Sequence, residues 1–227
     1  MRGLVDLSGP SFGPAAGGKP RRLVVLLHGY GADGNDLLGL APHWARSLPE
    51  VEFLAPHAPF PCEAAPFGRQ WFGFEGRDEG MMLAELQTAG TLLDGFLDAQ
   101  LAQRGLSDAD LALVGFSQGT MLSLHVGTRR PRAVAAIVGY SGSLIAPQRL
   151  ADEIKSRPRI LLVHGTADPV VPYAWFEAAV QALRSHRFPV VTETRPGMAH
   201  AIDEEGLRLG GQFLATAFAP EPGMTIP

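Results

Sequence analysis

The sequence predicts an α/β fold with a mostly parallel central sheet flanked by helices. Two observations carry this. Short apolar runs alternate with longer stretches of helical periodicity over most of the 227 residues, the order that builds strand–helix–strand crossovers. Four of the runs are almost continuously hydrophobic, as expected of strands covered on both faces.

In chain order the runs are Leu23–His28 (LVVLLH), Val51–Ala55, Leu111–Phe116 (LALVGF), Val134–Tyr140 (VAAIVGY), Ile160–His164 (ILLVH) and Val190–Thr194. Each reads as a strand. Helical patterns cover Met82–Arg104, Ser117–Arg129, Tyr173–Arg184 and Glu204–Ala217. In the first, Leu83, Leu86, Leu93, Phe96, Leu97 and Leu101 recur at three- and four-residue steps, which places them on one helix face. His57–Gly80 breaks the alternation: it has no period and is rich in Pro, Gly, Phe and Trp, so a long shaped loop is expected. Gly9–Pro20 and Ala219–Pro227 are rich in small residues and proline. The chain 1–227 therefore reads as one domain, with 1–20 and 219–227 as surface extensions.

Composition narrows the function. With 46% hydrophobic and 19% charged residues, a chain of this length buries a core without disulfide or metal staples. Nineteen basic residues against 23 acidic ones give a net charge of −4, a mixed surface unsuited to a polyanion such as nucleic acid. A single cysteine, Cys62, excludes an intramolecular disulfide and a Cys-rich zinc site, and it suits a reducing compartment. No run approaches the roughly 18 apolar residues of a membrane span, and no secretory signal pattern opens the chain. The expectation is a cytoplasmic protein acting on a small molecule, with no metal or other cofactor. The oligomeric state stays open, a homodimer included.

In open α/β sheets, ligands gather beyond the carboxyl ends of the strands. The strand Leu111–Val114 runs there into Gly115-Phe116-Ser117-Gln118-Gly119, followed by a helical pattern. This is the G-x-S-x-G turn in its strand–turn–helix context. Lifting a serine hydroxyl clear of the backbone needs so sharp a turn that Cβ atoms two residues either side would clash, and glycine removes them. The helix start behind it favours developing negative charge. Chance composition supplies about 0.14 copies of the pattern in such a chain, so Ser117 is the candidate nucleophile. Ser141 and Ser143 also follow a strand but lack the second glycine, and read as loop residues.

A serine hydroxyl needs a base, and the base needs a carboxylate to hold its tautomer. In α/β-hydrolases these follow in the order Ser, Asp/Glu, His on later strand-end loops. Asp168, in His164-Gly165-Thr166-Ala167-Asp168-Pro169, and His200, in Gly197-Met198-Ala199-His200, meet that order. His164 lies close to Asp168 and stays open as an alternative base. His43, His125 and His186 sit in helical patterns, and His57 precedes the nucleophile. Asp203 and Glu204 near His200 are explained as helix-start residues.

The first strand ends in His28-Gly29-Tyr30-Gly31-Ala32-Asp33-Gly34, which spells the G-x-G-x-x-G of a dinucleotide turn. Asp33 would set a carboxylate beside the pyrophosphate, and the second strand ends in Pro56-His57 rather than in an acid. The alternative is a loop that presents a backbone N–H to the oxyanion formed at Ser117, the second donor being the N–H of Gln118.

With LLHGYGADGNDLL, Trp71-Phe72, GFSQG, HGTADPVVP and GMAH together, the chain resembles the phospholipase/carboxylesterase family, which includes carboxylesterases and acyl-protein thioesterases. The resemblance runs from Leu23 to about Leu214. It implies an α/β-hydrolase fold with a minimal lid and hydrolysis of esters or thioesters. It also implies Ser117, Asp168 and His200 as the triad, with the N–H groups of Tyr30 and Gln118 as the oxyanion hole. Three residues depart from the usual pattern: Thr120 and Ala199, each for a glycine, and Tyr30 for a leucine.

The long loop offers an apolar wall, in which Trp71, Phe72, Phe67 and Met81 are candidate substrate contacts, as is Val170 beside Asp168. An equal reading makes such residues anchors of an irregular loop. The function expected is a serine carboxylesterase working through an acyl-enzyme. Acyl-protein thioesterase or lysophospholipase activity at the same site is the alternative, and a non-catalytic binding protein of the same fold is the rival from another class.

Overall fold

The computed structural model describes residues 6–74 and 76–219. Its strands, in chain order, are β1 (Ser11–Phe12), β2 (Arg22–Leu27), β3 (Val51–Leu54), β4 (Phe60–Pro61), β5 (Arg69–Gln70), β6 (Leu111–Phe116), β7 (Ala136–Tyr140), β8 (Arg159–Gly165) and β9 (Val190–Arg195). Seven of them form one sheet in the order β1-β3-β2-β6-β7-β8-β9. All its pairings are parallel except that of β1 with β3.

The continuous hydrophobicity of the central strands has a direct cause. Side chains alternate across a strand, and both faces are covered. Leu23, Val25 and Leu27 join Leu111, Leu113, Ile137, Ile160 and Leu162 in one core layer. Val24 and Leu26 join Ala112, Val114, Val138, Leu161 and Val163 in the other. The first layer is closed by α3 (Glu79–Arg104), α4 (Gln118–Gly127) and α6 (Tyr173–Ser185), through Leu86, Leu93, Met121 and Leu183 among others. The second is closed by α1 (Gly34–Leu38), α2 (Ala41–Ala45) and α7 (Glu204–Phe218), through Leu37, Trp44 and Leu214. The remaining helix, α5 (Leu150–Glu153), is a single turn that buries Leu150.

The short helices α1, α2 and α5 lie outside the four helical patterns of the sequence, and three further regions differ from its expectation. The Gly/Pro-rich start does more than extend over the surface. Pro10 and Ser8 carbonyls accept from Ala55 and His57 N–H, Ser11–Phe12 pair with β3, and Leu7 is buried. This segment covers the sheet edge that β3 would otherwise expose. Residues 220–227 of the other expected extension lie outside the described residues. Helix α3 begins at Glu79, three residues earlier than its apolar period, because Asp78 caps it by accepting from Met81 N–H at 2.8 Å. The aperiodic loop contains the hairpin β4–β5. Runs this short leave no periodic trace.

Candidate active site

Ser117 sits between β6 and α4 with φ 54° and ψ −115°, a conformation that costs an L-residue energy and persists only where its surroundings impose it. They do so here. A Cβ on Gly115 would overlap the Gly119–Thr120 backbone, and one on Gly119 would overlap the Leu27 carbonyl oxygen. Ser117 N–H donates to Tyr140 O at 2.9 Å, which ties the turn to β7. Gln118 opens α4, so its N–H has no acceptor within the helix. Thr120 is accommodated because Gly139 and Gly142 leave room for its side chain. Its buried hydroxyl lies 2.8 Å from Gly115 O and 2.9 Å from Tyr140 O.

The loops after β8 and β9 are knitted together. Ala167 N–H donates to Met198 O at 3.1 Å, and Gly197 N–H to Thr166 Oγ1 at 2.9 Å. A Cβ on Gly165 would overlap the Met198 carbonyl, so the two chains touch backbone to backbone. This brings Asp168 Oδ2 to 2.8 Å from His200 Nδ1. The other carboxylate oxygen, Oδ1, accepts from Val170 and Val171 N–H at 2.8 and 2.9 Å. Burial opposes the Asp168 charge. The His200 bond and the two backbone donors outweigh it and hold the carboxyl below the usual carboxylate range. The His200 ring lies against Phe116, with centroids 4.8 Å apart, and so beside the residue that precedes Ser117.

The competing residues are committed elsewhere. His164 is fully buried and stacks on Phe176 at 5.1 Å. Its Nε2 lies 2.9 Å from Val171 O and 3.5 Å from Asp168 Oδ2, and burial lowers its pKa. As a neutral ring donating to Val171 O, it braces the turn that carries Asp168. Asp203 caps α7 by accepting from Gly206 N–H at 2.8 Å. Ser141 and Ser143 bond to the carbonyls of Ala201 and Trp175.

The glycine-rich turn after β2 serves the elbow. A Cβ on Gly29 would stand 3.1 Å from Phe116 Cδ1 and 3.4 Å from Ser117 Cβ, so the loop runs against Ser117. Asp33 caps the five-residue α1 by accepting from Asn35 N–H at 2.8 Å. Gly31, at φ +82°, donates to Arg69 O at 2.9 Å, which joins the turn to β5. The Tyr30 ring packs edge-on against Phe74 at 5.3 Å, and Phe74 against Phe72 at the same spacing.

Of the expected substrate contacts, Trp71 and Phe72 are fully buried and show no surface to a ligand. They anchor the loop. Trp71 N–H donates to Gln118 Oε1 at 2.7 Å, Gln118 Nε2 donates to Phe72 O at 2.6 Å, and Trp71 Nε1 donates to His28 O at 3.0 Å. The Gln118 side chain therefore staples the long loop to the elbow, a role the sequence reading had not assigned. Phe67 on the β4–β5 connection is 97% exposed, and Met81 and Val170 are half exposed or more. These three remain available to a ligand. His28 was also passed over. Its signal is a histidine closing a doubly covered strand, which must find partners inside.

Residues 14–218 match the phospholipase/carboxylesterase family. The crystal structure of esterase PE8 is 43% identical, with a TM-score of 0.89, and the match covers 94% of this chain and 100% of that one. Acyl-protein thioesterase 1 of Gibberella zeae is 28% identical over 87% of this chain and 91% of its own. Esterase YpfH of Escherichia coli is 27% identical over 83% and 79%. By that match over most of its length, the chain belongs to the phospholipase/carboxylesterase family of α/β-hydrolases, whose relatives here are esterases and thioesterases.

Proposed function

We propose that the protein is a serine carboxylesterase in which Ser117 is the nucleophile, His200 the base, and Asp168 the acid that orients it. The observation that carries this is the pairing of a strained Ser117 at a helix start with a His200 held by a buried carboxylate. Asp168 accepts the proton-bearing Nδ1 of His200, which leaves Nε2 as the basic nitrogen.

In this reading His200 Nε2 takes the Ser117 hydroxyl proton as Oγ attacks the ester carbonyl. The carbonyl electron pair moves onto oxygen, where the N–H groups of Tyr30 and Gln118 stabilise it. Collapse expels the alcohol, which receives the proton from His200 and leaves an acyl-Ser117. Water, deprotonated by the same imidazole, attacks this acyl group, and the acid departs as Ser117 is reprotonated. A thioester would follow the same path with a thiol as leaving group, the alternative suggested by relatives named acyl-protein thioesterase. The substrate is a small-molecule ester or thioester reached past Met81 and Val170. A cytoplasmic setting belongs to the same proposal and is supported by the lone thiol of Cys62.

A fluorophosphonate probe tests the assignment. One phosphonylated residue at Ser117, with loss of p-nitrophenyl acetate hydrolysis, supports it. A folded protein that takes no label is the non-catalytic rival.

A further inference from the structure

The geometry points to His28 as a positioning residue for the oxyanion hole: its imidazole fixes the peptide whose N–H belongs to Tyr30. The inference rests on the role proposed above for Tyr30. His28 follows β2 at its carboxyl end and is fully buried, where unpaired ring nitrogens would be costly. Ala58 N–H lies 3.0 Å from Nε2 and can only donate, so Nε2 is the acceptor. A neutral imidazole then carries its proton on Nδ1. That nitrogen lies 2.8 Å from the Gly29 carbonyl oxygen, to which it donates.

The consequence follows from the planarity of the peptide. The Gly29–Tyr30 bond is trans, so its C=O and N–H point in opposite directions. Holding the oxygen towards His28 sends the Tyr30 N–H the other way. The same oxygen also accepts from Ala32 N–H at 3.3 Å. Gly29 itself meets the elbow, its Cβ position 3.4 Å from Ser117 Cβ. Glycine at 29 leaves ψ on one side of this peptide little restricted, and rotation would put a carbonyl oxygen where an anion must form. The Nδ1–H bond opposes that rotation. The β2 end is itself held, because the His28 carbonyl accepts from Trp71 Nε1.

The test separates the two ring nitrogens. An asparagine amide reproduces the Nδ1 donor, whereas a glutamine amide reaches only the Nε2 position. His28→Asn should keep kcat for p-nitrophenyl acetate within about fivefold of the unsubstituted protein. His28→Gln should lower kcat about 10²-fold, with KM changed by less than about twofold. A trifluoromethyl ketone adduct on Ser117 reads the hole directly. By carbon-13 NMR its hemiketal should ionise about two pH units higher in His28→Gln, the same 10²-fold expressed as an ionisation constant. Equal kcat losses in both variants, or an unmoved hemiketal ionisation in His28→Gln, would overturn the proposal in favour of a purely structural histidine. Nitrogen-15 NMR of the unsubstituted protein tests the tautomer even if a variant does not fold. A proton on Nδ1 supports the assignment, and a proton on Nε2 overturns it. Failure of fluorophosphonate labelling in the unsubstituted protein is a separate result, which removes Ser117 as nucleophile.

Discussion

His200 Nδ1 lies 2.8 Å from Asp168 Oδ2, an oxygen on a side chain with no solvent exposure. The carboxylate is aimed from behind as well, because Val170 and Val171 N–H occupy its other oxygen. The rigid partner in this pair is therefore the acid, and the imidazole takes its orientation from it.

Asp168→Asn tests that dependence. The amide keeps the shape but can offer an N–H where His200 needs an acceptor, which favours the wrong tautomer. In the serine-protease template this change costs about 10⁴ in kcat, and a loss of that order is expected here at pH 7. Steady-state hydrolysis of p-nitrophenyl acetate measures it. A variant within tenfold of the unsubstituted rate would remove Asp168 from its proposed role.

The strain at Ser117 predicts an opposition between stability and activity. Backbone at φ 54° and ψ −115° costs a non-glycine residue roughly 1–3 kcal/mol. Ser117→Gly relieves it, while the freer unfolded chain returns roughly 0.5–1 kcal/mol of that gain. Ser117→Ala keeps the strain. Both variants should be inactive, and urea unfolding should find Ser117→Gly the more stable by about 1 kcal/mol. Equal midpoints would mean that the elbow is relaxed.

Much of the fold was legible because burial on both sheet faces leaves few polar positions in the central strands, His164 on β8 being one. β6 begins and ends where its apolar run does. Legibility failed where structure is made by backbone pairing alone. Ser11–Phe12 joins the sheet through its main chain with both side chains exposed. Trp71 and Phe72 mark an apolar environment, but only the Gln118 hydrogen bonds show that it is the interior and not a pocket wall. The proposed serine, acid and histidine stood out through their order along the chain. The supporting His28 and Gln118 could be found only as buried polar groups in need of partners.

Two glycine substitutions separate close packing from helix propensity. A Cβ on Gly119 would strike the Leu27 carbonyl, a main-chain atom that cannot rotate aside. Gly119→Ala should destabilise the protein by about 3 kcal/mol or more, or prevent folding. Gly95 lies within α3 with nothing near its Cβ position. Gly95→Ala should stabilise by roughly 0.5–1 kcal/mol. Thermal and urea midpoints report both. A neutral Gly119→Ala would show that α4 can move off β2.

The buried histidine His125, on α4, sets an acid limit on stability. Burial, aided by the neighbouring Arg129 cation and opposed by Glu153, lowers its pKa to about 4. Its folded value lies below the unfolded value near 6.5, so between the two the unfolded chain binds the extra proton. His125 therefore costs nothing above about pH 6.5, and its penalty grows as pH falls towards 4. Linkage gives a loss of about 2 kcal/mol on going from pH 7.5 to pH 5. His125→Gln removes the titrating group while keeping a polar side chain at a position packed against Gly90. Urea unfolding at the two pH values should show a drop in stability smaller by that amount in the variant. Parallel drops in the two proteins would assign the acid sensitivity to other groups, His28 and His164 among them, whose pKa values burial also lowers.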